Sequence, residues 1–270
     1  MTTPRPPAGV PEVAARLRQA GCVFAEEEAE VLLGAAGDAD ELAAMVASRS
    51  TGVPLEQVVG WAEFCGKRIL LDPGVFVPRR RTEFLVRQAT ALAPLRPVVV
   101  DLCCGSGAVG AALSEALHHV DLYAVDVDPA AVRCARRNLP PDRVLEGDLF
   151  TPLPGGLRGQ VDLLVVNAPY VPAGELHLMP AEARVHEPRI ALDGGVDGLQ
   201  VHRRVASEAR QWLAPRGHLL IETSERQAET AGGLFTEAGL EAQIRSCADL
   251  EVTVVIGTAP GPVGHSHDEM

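Results

Sequence analysis

From residue 97 onward the chain alternates between two hydrophobic patterns. Short unbroken apolar runs, "PVVVDLCC", "VDLYAVDVD", "DRVLEGDLF", "VDLLVVNAP" and "GHLLIETS", read as strands, the most apolar of them buried on both faces. Between them lie longer stretches whose apolar residues recur every three or four positions. "AVGAALSEALHH", "PAAVRCARRN", "GLQVHRRVASEARQWLAP" and "RQAETAGGLFTEAG" read as helices. The Pro/Gly-rich "TPLPGGLRGQ" joins the third and fourth of these strands with no helical pattern. Strands alternating with helices predict a parallel, doubly wound α/β sheet. The last two runs, "LEAQIRSCA" and "LEVTVVIGTA", have no helix between them, which predicts an antiparallel pair at the sheet's edge.

The chain ahead of this region is patterned differently. "VPEVAARLRQAG", "FAEEEAEVLLGAAG" and "DADELAAMVASR" carry apolar residues at helical spacing, with Asp38 or Asp40 as the cap of the third helix. Residues 61–79 read as a β-hairpin with "DPG" as its turn, because Pro presets φ and Gly accepts a positive φ. "RRTEFLVRQATALAPL" follows as a helix. The expected organisation is a small helical domain (1–60), a hairpin linker (61–80), a larger α/β domain (81–260) and a disordered tail (261–270) holding His265 and His267.

Composition narrows the function classes. The net charge is −12 over 270 residues, and the first 60 residues carry four arginines against nine acids. Such acidity argues against stable nucleic-acid binding, which usually brings a basic domain. One lysine, Lys67, stands among 24 basic residues. The six cysteines form no C-x-x-C pair, and no Cys/His cluster has metal spacing. No metal is therefore expected. No apolar run approaches the roughly 18 residues of a membrane span, and the first residues lack the apolar core of a signal peptide. A cytoplasmic protein with reduced thiols and no membrane contact is the expectation.

The first strand-to-helix turn carries candidate chemistry. "VVVDLCCGSGAVGAAL" places Asp101, Cys103, Cys104, Gly105, Ser106 and Gly107 where glycines let the backbone approach a ligand closely. About twenty residues on, the second strand ends with Asp126, placed to accept ribose hydroxyls. Asp148 and Leu149 follow the third strand. Three acids in series at the carboxyl ends of parallel strands mark the ligand edge of an open sheet. The letters "GSGAVG" also fit a dinucleotide fingerprint, a weak signal alone. The leading Asp101 distinguishes the turn: its D-x-x-x-G-x-G resembles the nucleoside-cofactor loop of S-adenosylmethionine-dependent methyltransferases. Cys103 and Cys104 read as small apolar loop residues, since no base accompanies them.

The fourth strand ends on Asn167-Ala168-Pro169-Tyr170. The Asn167 side-chain carbonyl accepts one N–H, and the backbone carbonyl of Ala168, restrained by the proline after it, accepts another. Tyr170 covers a planar group. Two acceptors under an aromatic lid suit an amide or amino nitrogen, held for attack on an electrophilic methyl. An amide side chain and the exocyclic amine of a nucleic-acid base both offer that pair of N–H groups.

The longer pattern resembles one family. "PLEQVVGWAEFCGKRILLDPGVFVPRRRTEFLV", the loop "DLCCGSG", "AVDVDP", "GDLF", "NAPY" and "EPRIALDGGVDGLQVHRR" occur in the order found in the release-factor glutamine methyltransferases. The resemblance runs from Pro54 through most of the chain. It implies a class I, Rossmann-like methyltransferase fold with a seven-stranded, mostly parallel sheet and an antiparallel edge strand, preceded by a helical domain and a hairpin. It implies S-adenosyl-L-methionine as cofactor, and as partner a protein substrate, a release factor or another glutamine-bearing protein. It further implies methylation of that glutamine's side-chain amide, in a Gly-Gly-Gln loop of release factors. Carried over by position, Asn167, Ala168, Pro169 and Tyr170 hold the glutamine. The cofactor lies against Asp101, Cys103, Cys104, Gly105, Ser106, Gly107, Asp126, Asp148, Leu149 and Asn167, with Phe76, Arg79 and Thr82 near its mouth. Ala168 stands where the family has a first proline, and "PRRRTE" makes Arg79, Arg80 and Arg81 a basic cluster. A base-directed amino-methyltransferase and a cofactor-binding scaffold without turnover are the alternatives.

Overall fold

Each apolar run becomes a strand, and the runs after residue 97 become strands of one sheet. The computed structural model describes residues 9–261, so the expected tail lies outside the described residues but for Gly261. The chain begins with helices α1 (Val10–Gln19), α2 (Ala25–Ala35), α3 (Ala39–Ser50) and α4 (Leu55–Val59). Asp38 caps α3 by accepting the Glu41 N–H at 2.8 Å, while Asp40 lies within the first turn. Val13, Leu17, Leu32, Leu42 and Val46 close a core of their own. The five residues of α4 are too few to show a period in sequence.

Strands β1 (Trp61–Phe64) and β2 (Lys67–Leu70) form the hairpin, but not around "DPG". The turn is Cys65-Gly66, with φ of 50° and 72°. Two left-handed residues give a two-residue connection the twist that adjoining strands need. Asp72-Pro73-Gly74 makes a separate turn, closed by the Val75 N–H on the Asp72 carbonyl at 3.2 Å, and leads the chain into the site.

The chain continues through α5 (Glu83–Leu92), β3 (Val98–Leu102), α6 (Ala108–Ala116), β4 (Asp121–Asp126), α7 (Pro129–Ala135), β5 (Val144–Glu146), β6 (Val161–Val166) and α8 (Ala181–His186). It ends with α9 (Gln200–Trp212), β7 (Leu213–Thr223), α10 (Glu225–Glu237), β8 (Glu241–Cys247) and β9 (Val252–Thr258). The seven-stranded sheet has the order β5-β4-β3-β6-β7-β9-β8. Its first five strands are parallel, and β9 lies antiparallel between β7 and β8. Alternate residues serve opposite faces: Val99, Leu163 and Leu220 join one core, and Val100, Leu164 and Leu219 the other.

The chain winds outward from β3 through β4 to β5, then returns to β6 on the other side of β3. That reversal leaves a crevice beyond the carboxyl ends of β3 and β6, where open α/β sheets bind ligands. Among the described residues no helix is long and apolar enough to cross a membrane.

Candidate active site

The crevice is a cavity of about 370 Å³, bordered by residues from the ends of β3, β4, β6 and β7 and by the segment leading from the hairpin. All the cofactor and clamp residues expected from sequence border it, except Gly107, which packs behind it.

On one side lies the loop after β3. Asp101 is buried, and its Oδ2 accepts the N–H of Gly110 in α6 at 2.9 Å, pinning helix to strand. Cys103, Gly105 and Gly107 all have positive φ. Gly105 faces open space, so a ligand can approach its backbone. Gly107 is needed for another reason: a Cβ there would stand 2.9 Å from Leu139 Cδ1, where the loop packs on the chain after α7. Asp126 holds the loop from β4: its Oδ2 accepts the Gly105 N–H at 2.8 Å and its Oδ1 accepts the Asp128 N–H at 2.9 Å. Each oxygen keeps a lone pair for a further donor. Burial pushes the thiols of Cys103 and Cys104 up, keeping both protonated and unreactive.

The rim differs from the sequence expectation in its pairings. Asp148 is half-exposed and engages Arg204 of α9 at 2.6 Å, beside the buried Leu149. Arg79 borders the cavity, but its Nη2 donates to both oxygens of Glu187 at 2.6 Å while its guanidinium covers the Phe76 ring. It therefore ties the segment after the hairpin to the chain after α8. Thr82 borders the cavity as well, buried, with its Oγ1 3.3 Å from Asn167 Nδ2.

On the other side lies the clamp after β6. Asn167 Nδ2 is 3.3 Å from Thr82 Oγ1, and Ala168 is buried with its backbone at the cavity wall. The Tyr170 hydroxyl donates to Glu222 Oε1 at 3.3 Å, and Arg81 Nε reaches the same oxygen at 3.4 Å. The glycine-rich run after residue 193 braces this stretch. A Cβ on Gly194 would lie 2.8 Å from the Pro169 carbonyl, and one on Gly198 would collide with the Tyr170 carbonyl. Gln227 of α10 donates to the carbonyls of Tyr170 and Asp197 at 3.0 and 2.9 Å.

Glu222 also borders the cavity, and His202 packs behind it, outside the lining. Glu222 is almost wholly buried at the end of β7, and burial raises its pKa against the opposing pull of Thr82 and Arg81. His202 reads from sequence as a surface or loop residue, but it is fully buried, with Nε2 3.3 Å from the Glu222 carbonyl. Its spacing to Val205, Ala206, Ala209 and Trp212 along α9 places it on that helix's apolar stripe. Burial lowers its pKa to about 4, so it is neutral at pH 7.

Comparison with known proteins extends this geometry. The methyltransferase small domain family matches residues 67–196. A release factor glutamine methyltransferase from Geobacter sulfurreducens is 40% identical over 207 residues, covering 74% of this chain and 72% of the relative. A 4-amino-L-phenylalanine/4-methylamino-L-phenylalanine methyltransferase from Streptomyces pristinaespiralis is 37% identical over 203 residues, covering 72% and 69%. The crystal structure of a methyltransferase from Pyrococcus furiosus superposes with a TM-score of 0.55 at 17% identity, covering 72% of this chain and 90% of that one. That likeness establishes the class I methyltransferase fold. With the cradle and the clamp facing one cavity, and identity sustained over some seven-tenths of both chains, this chain belongs to the release factor glutamine methyltransferase family.

Proposed function

We propose that the protein transfers a methyl group from S-adenosylmethionine to the side-chain amide nitrogen of a glutamine in a peptide-chain release factor. The observation that carries this reading is the shared cavity: Asp101 and the loop from Cys103 to Ser106 form one wall and the clamp from Asn167 to Tyr170 another. The cradle fits the cofactor. Gly105 offers bare backbone to a ligand, Asp126 retains acceptor capacity for ribose hydroxyls, and the buried Asp101 favours a cationic neighbour. When bound, S-adenosylmethionine supplies its methyl as an electrophile on a sulfonium centre.

The chain supplies orientation. Asn167 Oδ1 and the Ala168 carbonyl each accept an N–H of the substrate amide, which fixes the nitrogen and aims its lone pair. The replacement of the family's first proline by Ala168 leaves that carbonyl in place. Tyr170 covers the amide plane and excludes water. Neither cysteine enters, since both thiols are protonated.

Incubation of the protein with labelled S-adenosylmethionine and a release factor, read by peptide mass spectrometry, tests the reading. Methylation of the glutamine in the Gly-Gly-Gln loop is expected. Asn167→Ala lowers kcat by about 10²–10³-fold, as loss of one preorganised polar contact does, with cofactor affinity retained. Transfer to adenine in nucleic acid, or to no protein at all, would overturn it.

A second reading rests on the similarity to the methyltransferase for 4-amino-L-phenylalanine, 37% identical over most of the chain. An aromatic amine offers the same two N–H groups. Faster transfer to such an amine than to the release factor would favour it.

A further inference from the structure

The loop after β3 is gripped from two directions. Asp126 holds it at the Gly105 N–H. The second grip comes from Asn138, which lies just past the end of α7 and outside the cavity lining. Its Nδ2 donates to the Ser106 carbonyl at 2.9 Å and to the Leu70 carbonyl at 2.8 Å, while its Oδ1 accepts the Leu70 N–H at 2.9 Å. A side-chain amide has two N–H donors, and here each meets one carbonyl. The orientation is therefore set: turned over, the amide would put Oδ1 against two carbonyls and Nδ2 against an N–H. With Leu70 it makes the paired N–H and C=O bonds that a neighbouring strand would make on the outer edge of β2. One side chain thus ties the hairpin, 68 residues away in the chain, to the cofactor loop, 32 residues away.

What Asn138 holds in the loop is a peptide group. The Ser106 carbonyl and the Gly107 N–H belong to one peptide unit. Its N–H donates to the Cys104 carbonyl at 2.8 Å, and its C=O accepts from Asn138. Held at both ends, the unit cannot turn over without losing both bonds. Gly107, at φ of 78°, has no Cβ to restrain it, so the restraint comes from these partners. Ser106 is buried and borders the cavity directly. The anchor is firm as well: Cys134 Sγ donates to the Leu70 carbonyl at 3.3 Å, and Arg137 pairs with Asp72 beyond β2.

We propose that Asn138 is a positioning residue that fixes the Ser106–Gly107 peptide, and with it the backbone against which the cofactor lies, using the β1–β2 hairpin as its anchor. This rests on the reading above that S-adenosylmethionine occupies the loop. Asn138 touches neither cofactor nor substrate in this role.

Two variants separate polarity from packing. Asn138→Ala removes all three bonds. Asn138→Asp keeps the shape and an acceptor for the Leu70 N–H, but sets its other oxygen against the two carbonyls. Both are expected to raise the Kd for the demethylated cofactor, S-adenosylhomocysteine, about 10–100-fold by calorimetry, as loss of a buried hydrogen-bond partner does. Asn138→Asp is expected to be at least as impaired as Asn138→Ala. kcat for methylation of a release factor at saturating cofactor is expected to change less than about threefold, because the clamp after β6 is untouched. Hydrogen exchange of the segment 103–110 is expected to quicken at least about tenfold in both variants, with protection of β3 and β6 unchanged. In the wild type the linkage runs the other way: S-adenosylhomocysteine is expected to slow exchange of the Asn138 side-chain amide at least about threefold by NMR, the resonance being assigned by its disappearance in Asn138→Ala.

An unchanged Kd in both variants would overturn the proposal. So would a raised Kd accompanied by lost protection throughout β3 and β6, which marks a weakened fold rather than a freed loop. If neither variant folds, the wild-type measurement decides alone, and an Asn138 amide indifferent to the ligand overturns the proposal. A wild type with no affinity for S-adenosylhomocysteine would sink the assigned cofactor, and the proposal with it, before any variant is compared.

Discussion

A buried carboxyl with one hydrogen bond responds strongly to any charge placed beside it. Asp101 is such a group: burial, with Asp126 adding repulsion, pushes its pKa from 3.8 up to about 7. In the ligand-free protein it is protonated below about pH 7 and ionised above. A cationic ligand favours the ionised form, so binding of S-adenosylmethionine is expected to release a proton near neutrality and to weaken as pH falls through 7. Calorimetric titration in two buffers of different ionisation heat measures that release, and Asp101→Asn abolishes it. Stability runs the other way. Because the folded pKa lies above the unfolded one, the fold binds more protons between about 3.8 and 7. The contribution of Asp101 to stability is therefore full below that window and lost as pH rises through 7. At this scale the sequence was informative about type and place. The acid at the loop, the acid ending β4 and the amide after β6 were each legible, since each occupies a fixed point on a parallel-strand frame. The pairing of Arg79 with Glu187 was not, because its partners are 108 residues apart and meet only through tertiary packing.

Elements carry the site by leaning on one another. The glycines at 194 and 198 bring one backbone against another, under the clamp after β6. Gly198→Ala places a methyl group onto the Tyr170 carbonyl and the Gln227 amide, at a residue with φ of 77°. We expect a loss of about 1–3 kcal/mol in stability, as overpacking typically costs. Thermal unfolding measures it. We also expect a fall in kcat larger than in cofactor affinity, because Tyr170 moves while the loop after β3 does not. The run "GGVDG" is visible in sequence, but its purpose is not: only the fold shows which backbone it approaches. The hairpin makes the same point. Its strands were legible, yet its turn fell on Cys65-Gly66 because a cysteine adopts φ of 50° there, which nothing in its residue type announces.

Across the whole molecule, the buried Arg49 joins the amino-terminal helices to the part of the chain that carries the sheet. Arg49 of α3 binds Glu28 of α2 through both oxygens, at 2.6 and 2.9 Å, and reaches Glu182 of α8 at 3.1 Å. Gln57 adds bonds to the carbonyls of Val75 and His186. The amino-terminal helices are thus fastened to the segment beside the cavity mouth. Arg49→Ala leaves Glu28 without its counter-charge in a buried site, and we expect a loss of about 3–5 kcal/mol. Limited proteolysis is expected to speed up between α3 and β1, because the tie runs through that stretch. The helices were legible from their apolar spacing, but this tie was not, since Glu182 lies 133 residues beyond Arg49.

The order of strands has a consequence for how the protein is made. The strand that fills the gap between β7 and β8 is β9, the last in chain order among the described residues. During vectorial synthesis the cofactor loop and the clamp would emerge first, while the edge of β7 that carries Glu222 waited for a partner. In the finished sheet Glu222 and Thr223 stand opposite Val254 and Thr253. A chain cut short before Val252 would hold every residue of the cavity and still expose an unpaired apolar strand, a template for association with its own kind. Premature termination would therefore yield an aggregate rather than a weakened enzyme.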